Sequence, residues 1–422
     1  MKKLNMIILH SVFFAFLMAL YGYYLAPMWV YAGFVADPSV IKIAIAACAI
    51  ICFVIATPVA AGIRAFFLNF ALSVYFIPAM VIYAYANKPT FAAFVIWVGF
   101  AVMYVASYVP IPKMWSFSIE PRLLMPLLLL ATASLIGAYY VLGGFGTFSL
   151  NLANVYEFRR EAAAALPGIF GYLLSIFVKI LIPFGLVIAI AEKKHLASIL
   201  FFLSFIILFG ITHHKYILFT PFVITVTYLY VRKFPDYKYT LFALIAALFI
   251  SVVDLIFTKY FPDGMWGWYG SLFTRRSLML PPLINYYYID FFSNNPFYYW
   301  ATSRITFGLI ENPYELAAPF LIGDVYFGNS ITSANVGFIG SGFAQAGIIG
   351  VILYSAGVGL VFSFLETYGR DLGQPFVVAI TVSQVFSLIG SSDLLTMFLT
   401  HGLLVSLILF AVVRTPRSTR RG

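Results

Sequence analysis

Residues 168–191 have the sequence GIFGYLLSIFVKILIPFGLVIAIA, residues 195–209 have the sequence HLASILFFLSFIILF, and the charged triplet Glu192-Lys193-Lys194 separates them. Apolar runs of roughly 20 residues are long enough to cross the hydrocarbon core of a bilayer as α-helices. A short basic connection between two such runs is typical of a turn on the cytoplasmic side. The stretch therefore predicts a helical hairpin within a membrane.

The composition extends this interpretation to the whole chain. Of the 422 residues, 63% are hydrophobic and 9% are charged, whereas a soluble domain is about 45–50% apolar and about 25% charged. Such a chain has too few polar residues to cover a water-soluble fold, which excludes soluble enzymes, secreted domains and disordered proteins. The sequence predicts an all-α polytopic integral membrane protein, with residues 1–422 forming a single membrane domain.

About twelve apolar runs have the length of a transmembrane helix. They cover residues 5–25, 40–61, 65–86, 90–108, 121–142, 168–191, 195–211, 214–231, 239–257, 336–364, 375–391 and 394–413. With the N-terminus in the cytoplasm, 15 of the 25 lysines and arginines fall in cytoplasmic connections or termini. This bias predicts that both termini are cytoplasmic.

Two outer connections are longer than the others, residues 143–167 and residues 258–335. The second has 78 residues, of which 20 are Phe, Trp or Tyr. A connection of this length is seldom a plain linker. Its aromatic content is too high for a loop that is surrounded by water. Proline and polar residues interrupt it too often for it to span the membrane. We expect short interfacial or re-entrant helices within it.

The two long connections contain five arginines on the outer side, against the usual charge bias. They are Arg159, Arg160, Arg275, Arg276 and Arg304. A guanidinium group suits a phosphate because its planar fork donates two parallel hydrogen bonds. The arginines therefore predict a site for an anionic ligand, most simply a lipid pyrophosphate. The alternative for Arg159 and Arg160 is an interfacial anchor neutralised by Glu157 and Glu161.

Candidate bases lie on the same predicted side. The turn His213-His214-Lys215 offers a neutral imidazole that accepts a proton near pH 7, and Lys215 adds a positive charge for a phosphate. We rank His214 first, His213 second and the loop carboxylate Asp290 third. The alternative is a polar turn that happens to contain histidines.

Other ligand classes have no support in the sequence. No Cys/His cluster has metal-ligand spacing, and no Asp-x-Asp motif occurs, so neither a metal nor another cofactor is expected. The net charge of +10 does not indicate nucleic acid, because the basic residues flank apolar runs.

Lys179 lies near the middle of its predicted helix, where a charge costs at least about 2.5–3.5 kcal/mol on insertion scales. Asp254 is one possible partner in a buried ion pair. The alternative is that Lys179 lines a cavity and contacts a lipid phosphate.

The arrangement resembles the Wzy-type polymerases of oligosaccharide repeat units, the O-antigen polymerase family. The shared features are about a dozen helices, a long outer loop in the C-terminal half and arginines in outer loops. Arg160, followed after ten residues by Gly171, matches the Arg-x10-Gly pattern of that family. Neither Arg275 nor Arg276 has such a glycine. The small-residue stretch 335–350 resembles the glycine-rich helix that follows the long loop in these polymerases, although small residues also serve close helix packing.

The resemblance implies a GT-C-like integral membrane glycosyltransferase in the bacterial inner membrane, with loops 143–167 and 258–335 in the periplasm. It would join undecaprenyl-pyrophosphate-linked oligosaccharides by inverting or retaining substitution at the anomeric carbon. The arginines would stabilise the leaving pyrophosphate, and a chain-length regulator protein would be a partner. The alternatives are an O-antigen ligase of the same architecture and a lipid-linked oligosaccharide flippase or transporter.

Overall fold

The computed structural model describes residues 2–113, 118–151, 168–261 and 264–413. In these ranges the regular structure is helical, apart from an isolated β-bridge between Ile119 and Val413. The all-helical prediction is therefore confirmed. Seven of the described helices are long and apolar enough to cross a membrane, as expected of an α-helical membrane protein.

The helices follow the apolar runs closely. In chain order they are α1 (Lys2–Met28), α2 (Val40–Ala56), α3 (Ile63–Tyr85), α4 (Thr90–Ala106), α5 (Pro121–Val141), α6 (Ile169–Ala191), α7 (His195–Thr212), α8 (Lys215–Lys233), α9 (Tyr237–Tyr260), α10 (Leu280–Asn294), α11 (Ala318–Phe327), α12 (Phe338–Gly369), α13 (Gln374–Gly390), α14 (Leu394–Leu399) and α15 (Leu403–Val412). The prediction of about twelve membrane crossings stays a prediction.

Four π-helical segments occur in the described helices, and each ends two residues before a proline. The segments are Tyr21–Leu25, Leu72–Phe76, Phe177–Leu181 and Gly270–Met279, and the prolines are Pro27, Pro78, Pro183 and Pro281. Proline has no N–H, and its ring collides with the carbonyl four residues earlier. A wider turn before the proline accommodates both effects. Such π-turns often occur at functional sites.

In two apolar runs the helix is interrupted at a position that the amino-acid composition does not predict. The run 394–413 is divided between α14 and α15. Within α12, Ala346 and Gly347 leave the helical conformation, and Gly347 has φ +58°. The two parts of α12 pack closely, because a Cβ on Gly342 would lie only 2.7 Å from the carbonyl oxygen of Gly350. Small residues here serve close packing.

The long connection 258–335 contains helices. Its π-helical segment Gly270–Met279 continues directly into α10, and α11 follows. Most of α10 is buried, including Asn285, Tyr286 and Tyr288. The position of these helices relative to a membrane stays a prediction.

The chain forms two compact units. The first comprises Met1–Pro110, Asp236–Ser363 and Val385–Leu394, and the second comprises Ile111–Pro235, Phe364–Gln384 and Leu395–Gly422. The core of the first unit is rich in tyrosine, with Tyr75, Tyr83 and Tyr286 fully buried. The core of the second unit includes Phe184 and Phe205.

Candidate functional site

A cavity of about 230 Å³ lies in the first unit, beside the start of α4 and between residues of α10 and α11. Its polar lining comprises Lys88, Tyr286, Tyr287, Asp290, Ser293 and Tyr326. We refer to it as the tyrosine cavity. Three of the α10 residues, Tyr287, Asp290 and Ser293, recur every three positions, a spacing that places them on one face of the helix. The cavity contains Asp290, which the sequence offers as a candidate base.

Asp290 is oriented by a tyrosine from a different helix. The hydroxyl of Tyr326 donates to Oδ2 of Asp290 over 2.5 Å. The ring of Tyr326 also stacks on that of Tyr287, with centroids 4.4 Å apart and planes inclined by 15°. Burial raises the pKa of Tyr326, and the adjacent Asp290 raises it further. The phenol therefore stays protonated at neutral pH and acts as the donor.

Lys88 places a positive charge at the same cavity. Its Nζ lies 5.2 Å from the centre of the Tyr287 ring, within the range of a cation–π interaction. Burial lowers the pKa of Lys88, and the carboxylate of Asp290 acts in the opposite direction. The cavity thus combines a cation, a carboxylate and a stacked pair of tyrosine rings.

The turn that holds Lys88 is fixed by residues outside the cavity. Lys42 Nζ donates to the carbonyl oxygens of Asn87 and Lys88 over 3.1 and 2.6 Å. Asn87 Nδ2 donates to Oδ2 of Asp37 over 2.8 Å. Three hydrogen bonds therefore position the backbone that carries the Lys88 side chain.

Tyr287 is positioned by a close backbone approach at Gly33. This glycine has φ +89°, and a Cβ at this position would overlap the Tyr287 hydroxyl. Only glycine meets both conditions without strain. The segment is tied down nearby, because Tyr21 donates its hydroxyl to the carbonyl of Val35 over 3.0 Å.

Two of the predicted outer arginines, Arg275 and Arg276, lie in the π-helical segment of the same unit. The guanidinium of Arg275 donates to Oγ of Ser271 from Nη2 over 2.8 Å and lies 5.2 Å from the ring centre of Trp29. Arg276 is exposed. Burial lowers the pKa of Arg275, Tyr31 opposes this effect, and the charge of Arg276 adds to it. The charge of Arg276 thus disfavours the charged form of Arg275, and an anion beside Arg275 would offset this effect.

The arginine-bearing segment is held by α9. Oδ1 and Oδ2 of Asp254 accept from the backbone N–H groups of Gly267 and Gly270 over 2.9 and 2.8 Å, which satisfies donors at a helix start. Thr274 donates to Oγ of Ser251 over 2.8 Å. Asp254, which the sequence offered as a partner for Lys179, therefore supports the segment that carries Arg275.

The structure does not describe every predicted arginine. Arg159 and Arg160 lie outside the described residues, so the Arg-x10-Gly pattern is represented only by Gly171 in α6. Arg304 begins a short 3-10 helix, Arg304–Thr306. The roles of these arginines remain predictions.

The histidine turn belongs to the second unit. His213 directly follows α7 and has a left-handed conformation with φ +57°. It is fully buried and donates its backbone N–H to the carbonyl of Phe209 over 2.7 Å. His214 is partly exposed, and its ring lies 5.6 Å from that of Tyr216. Lys215 is exposed at the start of α8. His214 is therefore more accessible to a substrate than His213.

No protein-family model, curated protein or solved structure matches this chain. The resemblance to the oligosaccharide polymerases therefore stays a prediction. Within the described ranges, no group of three His, Cys, Asp or Glu residues is arranged to hold a metal ion.

A strained aromatic pair lies in the first unit, at the break in α12. Tyr299 and Trp300 both have positive φ, +45° and +61°, which is unusual for bulky residues. The backbone N–H of Tyr299 donates to the carbonyl of Gln345, and that of Trp300 donates to Gln345 Oε1 over 2.7 Å. Trp300 Nε1 donates to the Tyr354 hydroxyl over 3.0 Å. Strain held by several contacts often marks a functional site.

Sequence reasoning did not single out Lys88, Tyr326 or the strained pair. Tyr326, like the strained pair, counted only among the 20 aromatic residues of connection 258–335. The available signal was the position of Lys88, a lone basic residue in a short connection between two apolar runs on the outer side. That position calls for an explanation, and the cavity supplies one.

Proposed function

We propose that this chain is a glycosyltransferase that joins undecaprenyl-pyrophosphate-linked oligosaccharide repeat units into O-antigen or another surface polysaccharide. It would act on the periplasmic face of the bacterial inner membrane. The observation that carries the proposal is the presence of the carboxylate of Asp290 and the cation of Lys88 in the lining of one aromatic cavity. The arginines Arg275 and Arg276 in the same unit add to it.

The reaction is a substitution at the anomeric carbon of the donor. The acceptor hydroxyl oxygen forms the new C–O bond, and the bond from that carbon to the pyrophosphate oxygen breaks. The lipid pyrophosphate leaves with the electron pair. Asp290 accepts the hydroxyl proton as general base. Lys88 contributes positive charge beside the reacting groups.

The aromatic residues and the cationic residues would contact different parts of the substrate. Sugars present C–H groups that pack on aromatic side chains, and Phe91, Tyr287 and Tyr326 supply aromatic surface to the cavity. Arg276, exposed beside an arginine held by Ser271 and Trp29, would bind the leaving pyrophosphate by its planar fork. We place Asp290 ahead of His214 and His213 as the base, because it lines a cavity together with a cation.

The test is polymerisation by the purified full chain in proteoliposomes, given a lipid-linked repeat unit and read as a ladder on a gel. Asp290→Asn should reduce polymer formation at least about 100-fold, the range of a lost general base. The matched control is Asp324→Asn, an exposed carboxylate on α11 that does not belong to the cavity lining. His214→Ala is the third variant.

Three outcomes would overturn parts of the proposal. Full activity of Asp290→Asn together with loss in His214→Ala would move the base to the histidine turn. Transfer of one glycan onto a lipid A core acceptor, with no ladder from repeat units alone, would identify a ligase. Transbilayer movement of the lipid-linked unit without any new glycosidic bond would identify a flippase.

A further inference from the structure

A second cavity lies wholly in the second unit and has a volume of about 320 Å³. It lies where the end of α6, the end of α8 and the starts of α5 and α13 meet. Its floor is apolar and includes Ile188, Leu372 and Phe376. Its polar lining is Glu192, Tyr228 and Arg232. An apolar floor with a few polar groups is the usual form of a small-molecule site, and the volume is within the usual range of about 300–1,000 Å³.

The rim of this cavity is fixed by hydrogen bonds. Arg122 Nε donates to Oε2 of Glu192 over 2.8 Å, so the one carboxylate in the lining is already paired. Gln374 Nε2 donates to the carbonyl of Pro235 over 2.9 Å and ties the start of α13 to the chain that follows α8. These two hydrogen bonds therefore join the start of α5 to the end of α6, and the start of α13 to the chain after α8, around the cavity that contains Arg232.

The surroundings of the cavity are basic. The tight turn after α6 presents Lys193 and Lys194, both exposed, and Lys233 follows Arg232 at the end of α8. Two of the acidic residues at this end are paired, Asp371 with Lys113 at 3.0 Å and Glu366 with Arg370 at 2.9 Å, and a third, Glu120, is exposed. A ligand at the rim therefore meets an excess of positive charge.

We propose that this cavity binds the headgroup of an anionic phospholipid. The phosphate would lie at Arg232 and the acyl chains would leave along the apolar helix ends. Basic pockets between transmembrane helices are known to bind such headgroups. The cavity lies at the ends of apolar helices, the level at which a bilayer presents phosphate groups. This inference is independent of the proposed polymerase activity.

Native mass spectrometry of the full chain in detergent, titrated with phosphatidylglycerol and with phosphatidylcholine of the same acyl chains, tests the proposal. Phosphatidylglycerol should bind at least about tenfold more tightly. Arg232→Ala should weaken its binding about tenfold, as expected for loss of a charge-assisted hydrogen bond. Arg370→Ala is the matched control, because Arg370 lies at the same end of the unit but outside the cavity lining.

Two further variants separate charge from shape. Glu192→Gln removes the only acidic group of the lining and should tighten phosphatidylglycerol binding. Ala191→Phe fills part of the cavity without changing its charge and should weaken phosphatidylglycerol binding. Because Ala191 is exposed, the larger side chain leaves the core of the unit intact.

The proposal fails if both lipids bind equally well, or if Arg232→Ala and Arg370→Ala weaken binding to the same extent. The first result would show no headgroup selection, and the second would show unspecific attraction to surface charge. Displacement of phosphatidylglycerol by millimolar glycerol 3-phosphate would identify a soluble phosphate compound as the ligand and would also overturn the lipid assignment.

Discussion

The hydroxyl of Tyr326 donates a 2.5 Å hydrogen bond to Oδ2 of Asp290. This bond joins α11 to α10 at the tyrosine cavity and sets the orientation of the carboxylate. The raised pKa of Tyr326, caused first by burial and then by Asp290, keeps the phenol in its donating form over the physiological range. The geometry of the proposed base therefore depends on a residue from another helix.

Tyr326→Phe should reduce polymer formation because it removes the donor that orients Asp290. The partly exposed bond should contribute about 1 kcal/mol to the free energy of unfolding. A double-mutant cycle with Asp290→Asn, followed by thermal unfolding in detergent, measures the coupling. Tyr260→Phe is the control, since it removes an exposed hydroxyl outside the cavity. Strictly additive effects of Tyr326→Phe and Asp290→Asn would show that the two residues do not act together.

Much of the helical fold was predictable because charged residues mark the ends of the apolar runs. For example, α7 begins at His195, directly after the triplet Glu192-Lys193-Lys194. The break at Ala346-Gly347 was not predictable, since apolar composition continues through it and only the backbone changes. The cavity was not predictable either. It brings together Lys88 and Tyr287, which are distant in sequence, and periodicity along one helix carries no information about its partner.

Lys88 gives a direct test of electrostatics in the cavity. Asp290 raises the pKa of Lys88 against the lowering effect of burial, so Asp290→Asn should lower that pKa. A lower pKa increases the neutral amine fraction at pH 8, and acylation of Lys88 by a succinimidyl ester should therefore accelerate. Each pKa unit changes this fraction about tenfold well below the pKa. Peptide mass spectrometry measures the rate, with exposed Lys259 as internal reference. An unchanged ratio of Lys88 to Lys259 labelling would contradict the coupling.

The two arginines of the π-helical segment should respond differently to substitution. Arg276→Ala should reduce polymer formation without changing thermal stability, because Arg276 is exposed. Arg275→Ala should lower stability as well, because it removes contacts with Ser271 and Trp29. Arg276→Lys should restore little activity, because an ammonium cannot form the bidentate contact. Wild-type chain length in Arg276→Ala would argue against pyrophosphate binding there.

The predicted topology is tested by single cysteines in a Cys48→Ser/Cys52→Ser background. Lys233→Cys lies in a connection predicted to be cytoplasmic, and Glu311→Cys lies in the loop predicted to be periplasmic. A membrane-impermeant maleimide added to intact spheroplasts should label the second position and not the first. Both positions should be labelled after lysis. If intact spheroplasts are labelled at both positions, or at neither, the predicted topology is wrong.

Substitutions of Tyr299 can distinguish the effect of the strained pair on stability from its effect on function. Its left-handed backbone costs roughly 1–2 kcal/mol for a non-glycine residue, and part of this cost is recovered when glycine replaces it. Tyr299→Gly should therefore raise the free energy of unfolding by about 0.5–1 kcal/mol, although it removes a ring that contacts Phe297 at 5.9 Å. Tyr299→Ala removes the same ring but keeps the strain, and it should be no more stable than the wild type.

Comparison of the stability and activity of these two variants tests whether the strained backbone at Tyr299 serves the reaction. If the half-exposed Tyr299 ring contacts the glycan, both variants should lose polymerising activity while only Tyr299→Gly gains stability. Thermal unfolding in detergent and the gel ladder provide the two measurements on the same preparations. Equal destabilisation by glycine and alanine would mean that the left-handed backbone stores no strain. Full activity in both variants would mean that the ring has no part in the reaction, and Trp300, with its bond to Tyr354, would then be the aromatic residue to substitute.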